Sequence, residues 1–134
     1  MAQRITYTGV DEEAFYTHHA HSMHGRFNSA ALNAPASPDE YLLMVAPQKI
    51  IGFAKLFFNG PATYVSYLEI AKDARGQGYG PRLFARVFGR AAQRGDALII
   101  SNYTPFGRAY LMPHQARLER RYYPHLLVTN ATLI

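Results

Sequence analysis

Three glycines at alternate positions, Gly76, Gly78 and Gly80, separate two segments of different hydrophobic period. Residues 63–71 before them are rich in β-forming side chains, whereas apolar residues recur at helical spacing over residues 83–92. Glycine has no Cβ, so the backbone N–H groups of such a strand-to-helix turn stay uncovered, directly in front of a helix N-terminus. The turn is therefore predicted to hold a diphosphate group through main-chain donors.

The elements around this turn predict an α/β (α+β) domain with a mixed, mostly antiparallel sheet and helices on both faces. The predicted strands are residues 5–8, 41–46, 50–58, 63–71, 97–101 and 126–130, and the predicted helices are residues 10–23, 82–94 and 106–121. Short turns at residues 47–49 and 59–61 join antiparallel strands. The strand–helix–strand unit at residues 63–101 instead implies parallel pairing through a crossover.

The chain has 134 residues, of which 49% are apolar, so we expect one compact domain over residues 1–134. It contains no cysteine, which excludes disulfides, thiolate metal sites and cysteine nucleophiles. No apolar run is long enough to cross a bilayer, and the N-terminus lacks a signal-peptide pattern. We therefore expect a cytoplasmic protein.

Positive charge is concentrated in the second half of the chain. Residues 1–71 carry four basic and six acidic side chains (net −2), whereas residues 72–134 carry ten basic and three acidic ones (net +7). This asymmetry indicates an anionic partner, either a phosphorylated cofactor or a nucleic acid. Four arginines recur at four-residue steps along the predicted helix: Arg82, Arg86, Arg90 and Arg94. They fit a solvated helix face equally well, and only Arg82 lies close enough to the glycines to contact a phosphate.

Two common phosphate-binding motifs do not fit the glycines. A Walker A loop ends in Gly-Lys-Ser/Thr, which is absent. The dinucleotide fingerprint is Gly-x-Gly-x-x-Gly, whereas the spacing here is Gly-x-Gly-x-Gly after an antiparallel meander. Arg75 and Arg82 flank the glycines and supply charge-assisted donors.

The run from Leu68 to Gly80 resembles the acetyl-CoA-binding motif of the GNAT N-acetyltransferases. That motif has an apolar-x-apolar strand end, a short turn and then Gln/Arg-x-x-Gly-x-Gly/Ala, which Arg75, Gly78 and Gly80 satisfy. The element order over residues 41–130 is also similar to that family. The resemblance implies the acyl-CoA N-acyltransferase fold, with acetyl-CoA as co-substrate and no metal.

The resemblance also implies where the substrates bind. The pantetheine arm would run beside the end of the strand at residues 63–71, and the pyrophosphate would lie on the N–H groups of residues 76–82. The implied cofactor contacts are Leu68, Ile70, Arg75, Gly76, Gln77, Gly78, Tyr79, Gly80, Arg82 and Asn102. A neutral amine would enter from the opposite side, over the first helices and their loop, and attack the thioester directly. An amine acceptor is cationic in water, so we expect it to bind against residues 1–71, which carry net charge −2.

Proton transfer requires a base and an acid. Glu69, the only acid within the central strand, is the candidate base, although alternation allows a structural role on a paired face. Relatives use a Tyr within an Asn-x-x-Ala-x-x-x-Tyr-like pattern to protonate the departing thiolate. Here the spacing is stretched and prolines intervene, so Tyr110 is the nearest fit, with Tyr103 behind it.

Four histidines, His18, His19, His21 and His24, lie at the end of the first predicted helix or directly after it. Three-residue spacing lets histidines share a helix face, as metal ligands do. No HExxH pattern exists and no carboxylate lies at ligand spacing, so exposed or acceptor-lining imidazoles are expected. One of them could serve as the base if it faced the acceptor.

The sequence leaves three functional classes open. The first is an acetyl-CoA-dependent N-acetyltransferase acting on a primary amine of a small molecule or of a peptide or protein. The second is a non-catalytic CoA-binding or sensing module, which the stretched tyrosine pattern favours. The third, nucleic-acid binding, is disfavoured because the arginine stripe has little aromatic interleaving and the sequence has no known nucleic-acid motif. An uncapped sheet edge near residues 126–130 also predicts a homodimer.

Overall fold

A single mixed sheet organises the protein, as seen in a computed structural model that describes residues 4–32, 37–101 and 103–131. Within these residues the sheet has six strands in chain order: β1 (Thr6–Val10), β2 (Glu40–Ala46), β3 (Lys49–Asn59), β4 (Ala62–Ile70), β5 (Ala97–Ile100) and β6 (Val128–Asn130). Strands β1 to β4 pair antiparallel, and β4, β5 and β6 pair parallel. The predicted mixed sheet and its parallel crossover unit are both confirmed.

Apart from α4, the helices are shorter than the sequence pattern predicts, and they are more numerous. They are α1 (Glu12–His18), α2 (Ala20–Met23), α3 (Ser29–Leu32), α4 (Tyr79–Arg94), α5 (Pro105–Tyr110) and α6 (Met112–Arg117), with a 3-10 turn at Lys72–Ala74 and a π-helical turn at Leu118–Tyr122. In the described part of the chain, none of them has the length and apolarity needed to cross a membrane.

Two of the predicted helices are interrupted. The helix predicted over residues 10–23 breaks at His19, whose φ of −126° and ψ of −43° are not helical, and Val10 belongs to β1 instead. The helix predicted over residues 106–121 breaks at Leu111. Pro113 explains the second break, because proline has no N–H to donate to the preceding turn and its ring clashes there.

Helices cover both faces of the sheet, as predicted. On one face, the ring of Phe15 in α1 stacks on Tyr41 of β2 with centroids 3.8 Å apart, and Phe27 packs edge-on against Phe53 of β3. The opposite face packs against α4, whose buried residues are Leu83, Phe84, Val87, Phe88 and Ala91. The sheet is thus enclosed between the N-terminal helices and α4, and it positions the turn that leads into α4.

The arginine stripe of α4 is exposed at Arg82, Arg86 and Arg94, as a solvated face predicts, and it also contacts the sheet. Arg86 lies over the ring of Tyr7 at 4.4 Å, and Arg94 lies over the ring of Phe58 at 3.8 Å. Arg90 forms two 2.9 Å hydrogen bonds to the Glu40 carboxylate. Aromatic faces and carboxylates on the sheet therefore hold three of the four arginines in place.

Replacing Gly52 with alanine is expected to destabilise the protein. A Cβ at this position of β3 would lie 2.7 Å from Ile70 Cδ1, 3.2 Å from Leu83 Cδ2 and 3.3 Å from the Glu69 carbonyl oxygen. Urea unfolding of Gly52→Ala should show a loss of about 1–3 kcal/mol, the usual cost of overpacking.

Gly89→Ala provides the matched control within α4. Its Cβ would approach only the far end of Tyr123, at 3.1 Å from the hydroxyl, and that side chain can move aside. Alanine also favours the helix by about 1 kcal/mol over glycine. An unchanged unfolding midpoint for Gly52→Ala would contradict the close approach of β3 and α4.

Candidate active site

A cleft of about 1130 Å³ opens where β4 and β5 separate. The two strands pair only as far as Val65 and Ile100, and β4 continues to Ile70 without β5 beside it. Predicted site residues that line the cleft are Leu68, Glu69, Ile70, Arg75, Gly76, Gly78, Tyr79, Gly80 and Tyr110. The structure therefore brings the end of the central strand, the glycine turn and α5 around one space.

Three predicted contacts are not seen on the cleft. Gln77 and Arg82 are not among the residues that line it, and Asn102 lies outside the described residues. Arg82 is exposed on α4, where its guanidinium lies 5.8 Å from the centroid of the Tyr79 ring. Its predicted phosphate contact stays a prediction.

A β-bulge bends β4 at the mouth of this cleft. Lys55 pairs with Tyr67, but the next residue, Leu56, pairs with Val65, so Ser66 is the extra residue. Bulges bend a strand and increase its twist. Because the bulge coincides with the last pair between β4 and β5, it accounts for the separation of the two strands. The sequence carries no glycine or proline at this point that would have signalled it.

The glycine turn has the conformation that a main-chain anion site needs. Gly76 and Gly78 both have φ of +80°, in the left-handed region that disfavours other residues. Among the described residues, no carbonyl accepts a hydrogen bond from the amides of residues 76–78. The next amides belong to the first turn of α4, where N–H groups have no intrahelical acceptor. These residues fit a diphosphate group.

Gly80 differs from the other two glycines. Its φ is not positive, and an added Cβ would meet Leu111 Cδ2 at 3.5 Å, which is ordinary contact. Of the three alternate glycines, Gly76 and Gly78 therefore carry the conformational requirement of the turn, whereas Gly80 already belongs to α4.

The Glu69 carboxylate is the polar centre of the cleft. It is 8% exposed and accepts hydrogen bonds from three partners. Asn28 N donates to both oxygens at 3.2 and 3.0 Å, the Tyr67 hydroxyl donates to Oε1 at 2.7 Å, and Arg75 Nη2 donates to Oε2 at 3.1 Å. Arg75 also donates from Nε to the Ile70 carbonyl at 3.0 Å. The predicted base and the predicted phosphate ligand therefore form an ion pair.

A second set of contacts also joins the segment before α3 to the residues that follow β4. Arg26 forms two hydrogen bonds to the Asp73 carboxylate, at 3.2 and 3.1 Å, and Lys49 lies 3.4 Å from it. The Lys72 amide donates to the Arg26 carbonyl at 2.8 Å. The hydrogen bonds from Arg26 hold the pKa of Asp73 below its usual range. The segment before α3 is thus fixed against the end of β4 and the glycine turn.

Two tyrosines from the C-terminal part line the cleft in different environments. The Tyr103 hydroxyl donates to Gln115 Oε1 at 2.6 Å, and burial raises the pKa of Tyr103. Tyr110, in α5, is 58% exposed. The hydroxyl proton of Tyr103 is therefore committed to Gln115, whereas Tyr110 lies at the solvent-facing side. The stretched motif thus lies beside the cleft, and the role predicted for Tyr110 stays a prediction. Pro105 and Pro113 made the helix register unpredictable.

Three tyrosines should ionise at a higher pH than an unperturbed tyrosine does. Burial raises the pKa of Tyr41, Tyr67 and Tyr103, and the hydrogen bond to Glu69 raises that of Tyr67 further. In the unfolded chain these three hydroxyls ionise at lower pH than in the folded protein. Their contribution to the free energy of unfolding is therefore retained below about pH 10 and lost as the pH rises above it. Ultraviolet titration should show three tyrosines that ionise above the usual pH, and the Tyr67→Phe variant should show only two. Ionisation of all ten tyrosines in one step in the folded protein would contradict the burial of these hydroxyls.

The fold and the sequence both match known acetyltransferases. A model of the acetyltransferase (GNAT) family matches residues 6–104. Similar solved structures include aminoglycoside N-acetyltransferase AAC(6')-Iy in complex with CoA, with 14% identity and a TM-score of 0.58 over 100% of this chain and 95% of that chain. The ribosomal-protein-S18-alanine N-acetyltransferase from Escherichia coli has 16% identity and a TM-score of 0.61 over 84% of this chain and 77% of that chain.

A GNAT family acetyltransferase from Brucella melitensis in complex with acetyl-CoA has 11% identity and a TM-score of 0.53, over 82% of this chain and 83% of that chain. No curated protein sequence matches the chain. At these identities the structures are evidence of the fold, and the family match supplies the sequence evidence over most of the chain. The chain therefore belongs to the GNAT acetyltransferase family.

Proposed function

We propose that this protein transfers an acetyl group from acetyl-CoA to a primary amine of a small molecule or of a peptide or protein. The observation that carries the proposal is the glycine turn at the head of α4, on the wall of a large cleft. The amides of residues 76–78 have no carbonyl acceptor within the part of the chain that the structure describes. Structural neighbours crystallised with CoA or acetyl-CoA support the same co-substrate.

The chain offers distinct groups to each part of the co-substrate. The amides of residues 76–80 would hold the diphosphate through main-chain donors. Beyond Val65, the edge of β4 that faces the cleft has no strand beside it, so the backbone near Leu68 and Ile70 is available to an extended pantetheine arm. Arg75 would contact the diphosphate only by sharing or releasing its bonds to Glu69 and Ile70. Bound acetyl-CoA supplies an activated thioester carbonyl.

The amine would approach from the side of Asn28, within the half of the chain that carries net charge −2. Attack forms the N–C bond and breaks the C–S bond, so one proton must leave the nitrogen and one must reach the sulfur. We assign the first to Glu69, directly or through a water, and the second to Tyr110. Four contacts already occupy the two Glu69 oxygens, so a water relay requires less rearrangement than direct contact.

A thiol-release assay tests the activity directly. The purified chain is mixed with acetyl-CoA and a panel of aminoglycosides, polyamines and peptide N-termini, and free CoA thiol is measured. We expect amine-dependent release that stops when the amine is omitted. Binding of CoA without thiol release from any amine would instead favour a binding or sensing module.

The Gly78→Glu variant tests the glycine turn separately, through its affinity for acetyl-CoA. A carboxylate placed among the diphosphate donors should weaken acetyl-CoA binding by roughly 100-fold, because like charges at close range cost several kcal/mol. Gly60→Glu is the matched control: Gly60 also has a positive φ, has nothing within 4 Å of its Cβ and does not line the cleft. Calorimetry should show full affinity for Gly60→Glu, and equal affinities for both variants would remove the turn from the site.

Substitution of the two proposed proton-transfer residues should lower kcat while acetyl-CoA binding persists. Glu69→Gln and Tyr110→Phe are each expected to reduce kcat by about 10²–10⁴-fold, the usual contribution of general acid–base catalysis. Tyr122→Phe is the control, because Tyr122 is similarly exposed (54%) but does not line the cleft. If Tyr110→Phe retained the kcat of Tyr122→Phe, another group would have to protonate the thiolate.

A further inference from the structure

Lys55 is a buried cation in the middle of a core strand. It is 3% exposed in β3, and its Nζ donates to the Ala31 carbonyl at 2.6 Å and lies 5.8 Å from the centroid of the Tyr67 ring. Among the described residues no carboxylate forms an ion pair with it. Burial lowers the pKa of Lys55. A buried charge without a counter-ion is costly, so its contact with Ala31 needs an explanation beyond packing.

The carbonyl that Lys55 holds belongs to α3, a helix of four residues. Helices this short do not form on their own, because nucleation is unfavourable. The start of α3 is fixed by Asn28, whose side chain accepts from the Ala30 amide and whose own amide donates to Glu69. Its end is fixed by the bonds of Lys55 Nζ to Ala31 and of the Tyr16 hydroxyl to Leu32.

Lys55 and Glu69 are connected beneath α3 by one side chain. Lys55 pairs with Tyr67 across β3 and β4, and Tyr67 donates its hydroxyl to Glu69. A row of three polar side chains therefore runs along one face of the sheet from the end of α3 to its beginning. Glu69 lines the cleft at one end of this row, and Asn28 and Ser29 line it at the head of α3.

We propose that Lys55 is a positioning residue: together with Glu69 it fixes α3 so that Asn28 and Ser29 form the acceptor-side wall of the cleft. The term acceptor-side rests on the proposed function. Lys55 does not line the cleft itself, so it acts through α3 and has no contact with the reacting atoms.

Lys55→Met tests this role with two readouts. Methionine keeps a long apolar chain but has no donor for the Ala31 carbonyl. NMR hydrogen exchange should show the Ala31 and Leu32 amides exchanging about tenfold faster relative to amides of β3, because α3 opens locally. In the assay with the best amine of the panel, the KM for the amine should rise about fivefold or more while the Kd for acetyl-CoA changes less than twofold.

Arg90→Met is the matched control, and Lys55→Arg is the rescue variant. Arg90 is a paired cation on the other face of the sheet, so its loss should leave the relative exchange of α3 and the amine KM unchanged. Lys55→Arg keeps a cationic donor and should restore both readouts at least in part. Unchanged exchange of Ala31 and Leu32 in Lys55→Met, or equal acceleration of every amide, would overturn the proposal.

The two proposals fail in different ways. If no amine is acetylated, the proposed function fails, and hydrogen exchange still decides whether Lys55 fixes α3. If amines are acetylated but Lys55→Met alters only kcat or the acetyl-CoA Kd, the acceptor-side role is wrong while the enzyme assignment stands.

Discussion

The limited pairing between β4 and β5 is the constraint that links this fold to its site. β4 has nine residues, but β5 pairs only with the four from Ala62 to Val65. Beyond Val65 the edge of β4 that faces the cleft has no strand of the described residues beside it, so its backbone groups are open to another partner. The bulge at Ser66 coincides with the start of this edge, and the glycine turn begins ten residues later, at Gly76. Strand geometry thus brings an unpaired strand edge and the glycine turn to one cleft.

Charge that is unequal along the sequence is partly paired within the folded chain, which keeps its net charge of +5. Of the ion pairs among the described residues, four join the half of net charge −2 to the half of net charge +7: Arg26–Asp73, Lys49–Asp73, Arg75–Glu69 and Arg90–Glu40. The exposed pairs add little stability individually. Their placement matters more, because three of them lie around residues 69–75, where the two halves meet at the cleft. Two of the four pairs, Arg75–Glu69 and Arg90–Glu40, join a base of the positive half to an acid of the negative half, so internal pairing takes up part of the charge asymmetry.

Features that depend on local sequence were predictable, and features that depend on distant contacts were not. Hydrophobic period predicted the strands, α4 and the parallel unit, and glycine spacing predicted the turn, since each is set by nearby residues. α3 falls in a segment that reads as a loop, because its contacts come from Tyr16, Lys55 and Glu69, far away in sequence. Arginines at four-residue steps look the same whether they face solvent or stack on Tyr7 and Phe58. Only the folded sheet distinguishes these cases.

Arg75 connects the two chemical roles that the proposed function assigns to the cleft. Its Nη2 donates to Glu69 Oε2, and its chain position is that of the predicted diphosphate ligand. One N–H cannot be directed fully at both anions, so a diphosphate that attracts this guanidinium competes with the Glu69 carboxylate for it. Loss of the Arg75 bond leaves Glu69 still held by Asn28 and Tyr67, and it frees one acceptor position on Oε2 for a water or an amine. Under the proposed function, the order of binding therefore matters: the co-substrate must bind before Glu69 can accept a proton from the amine.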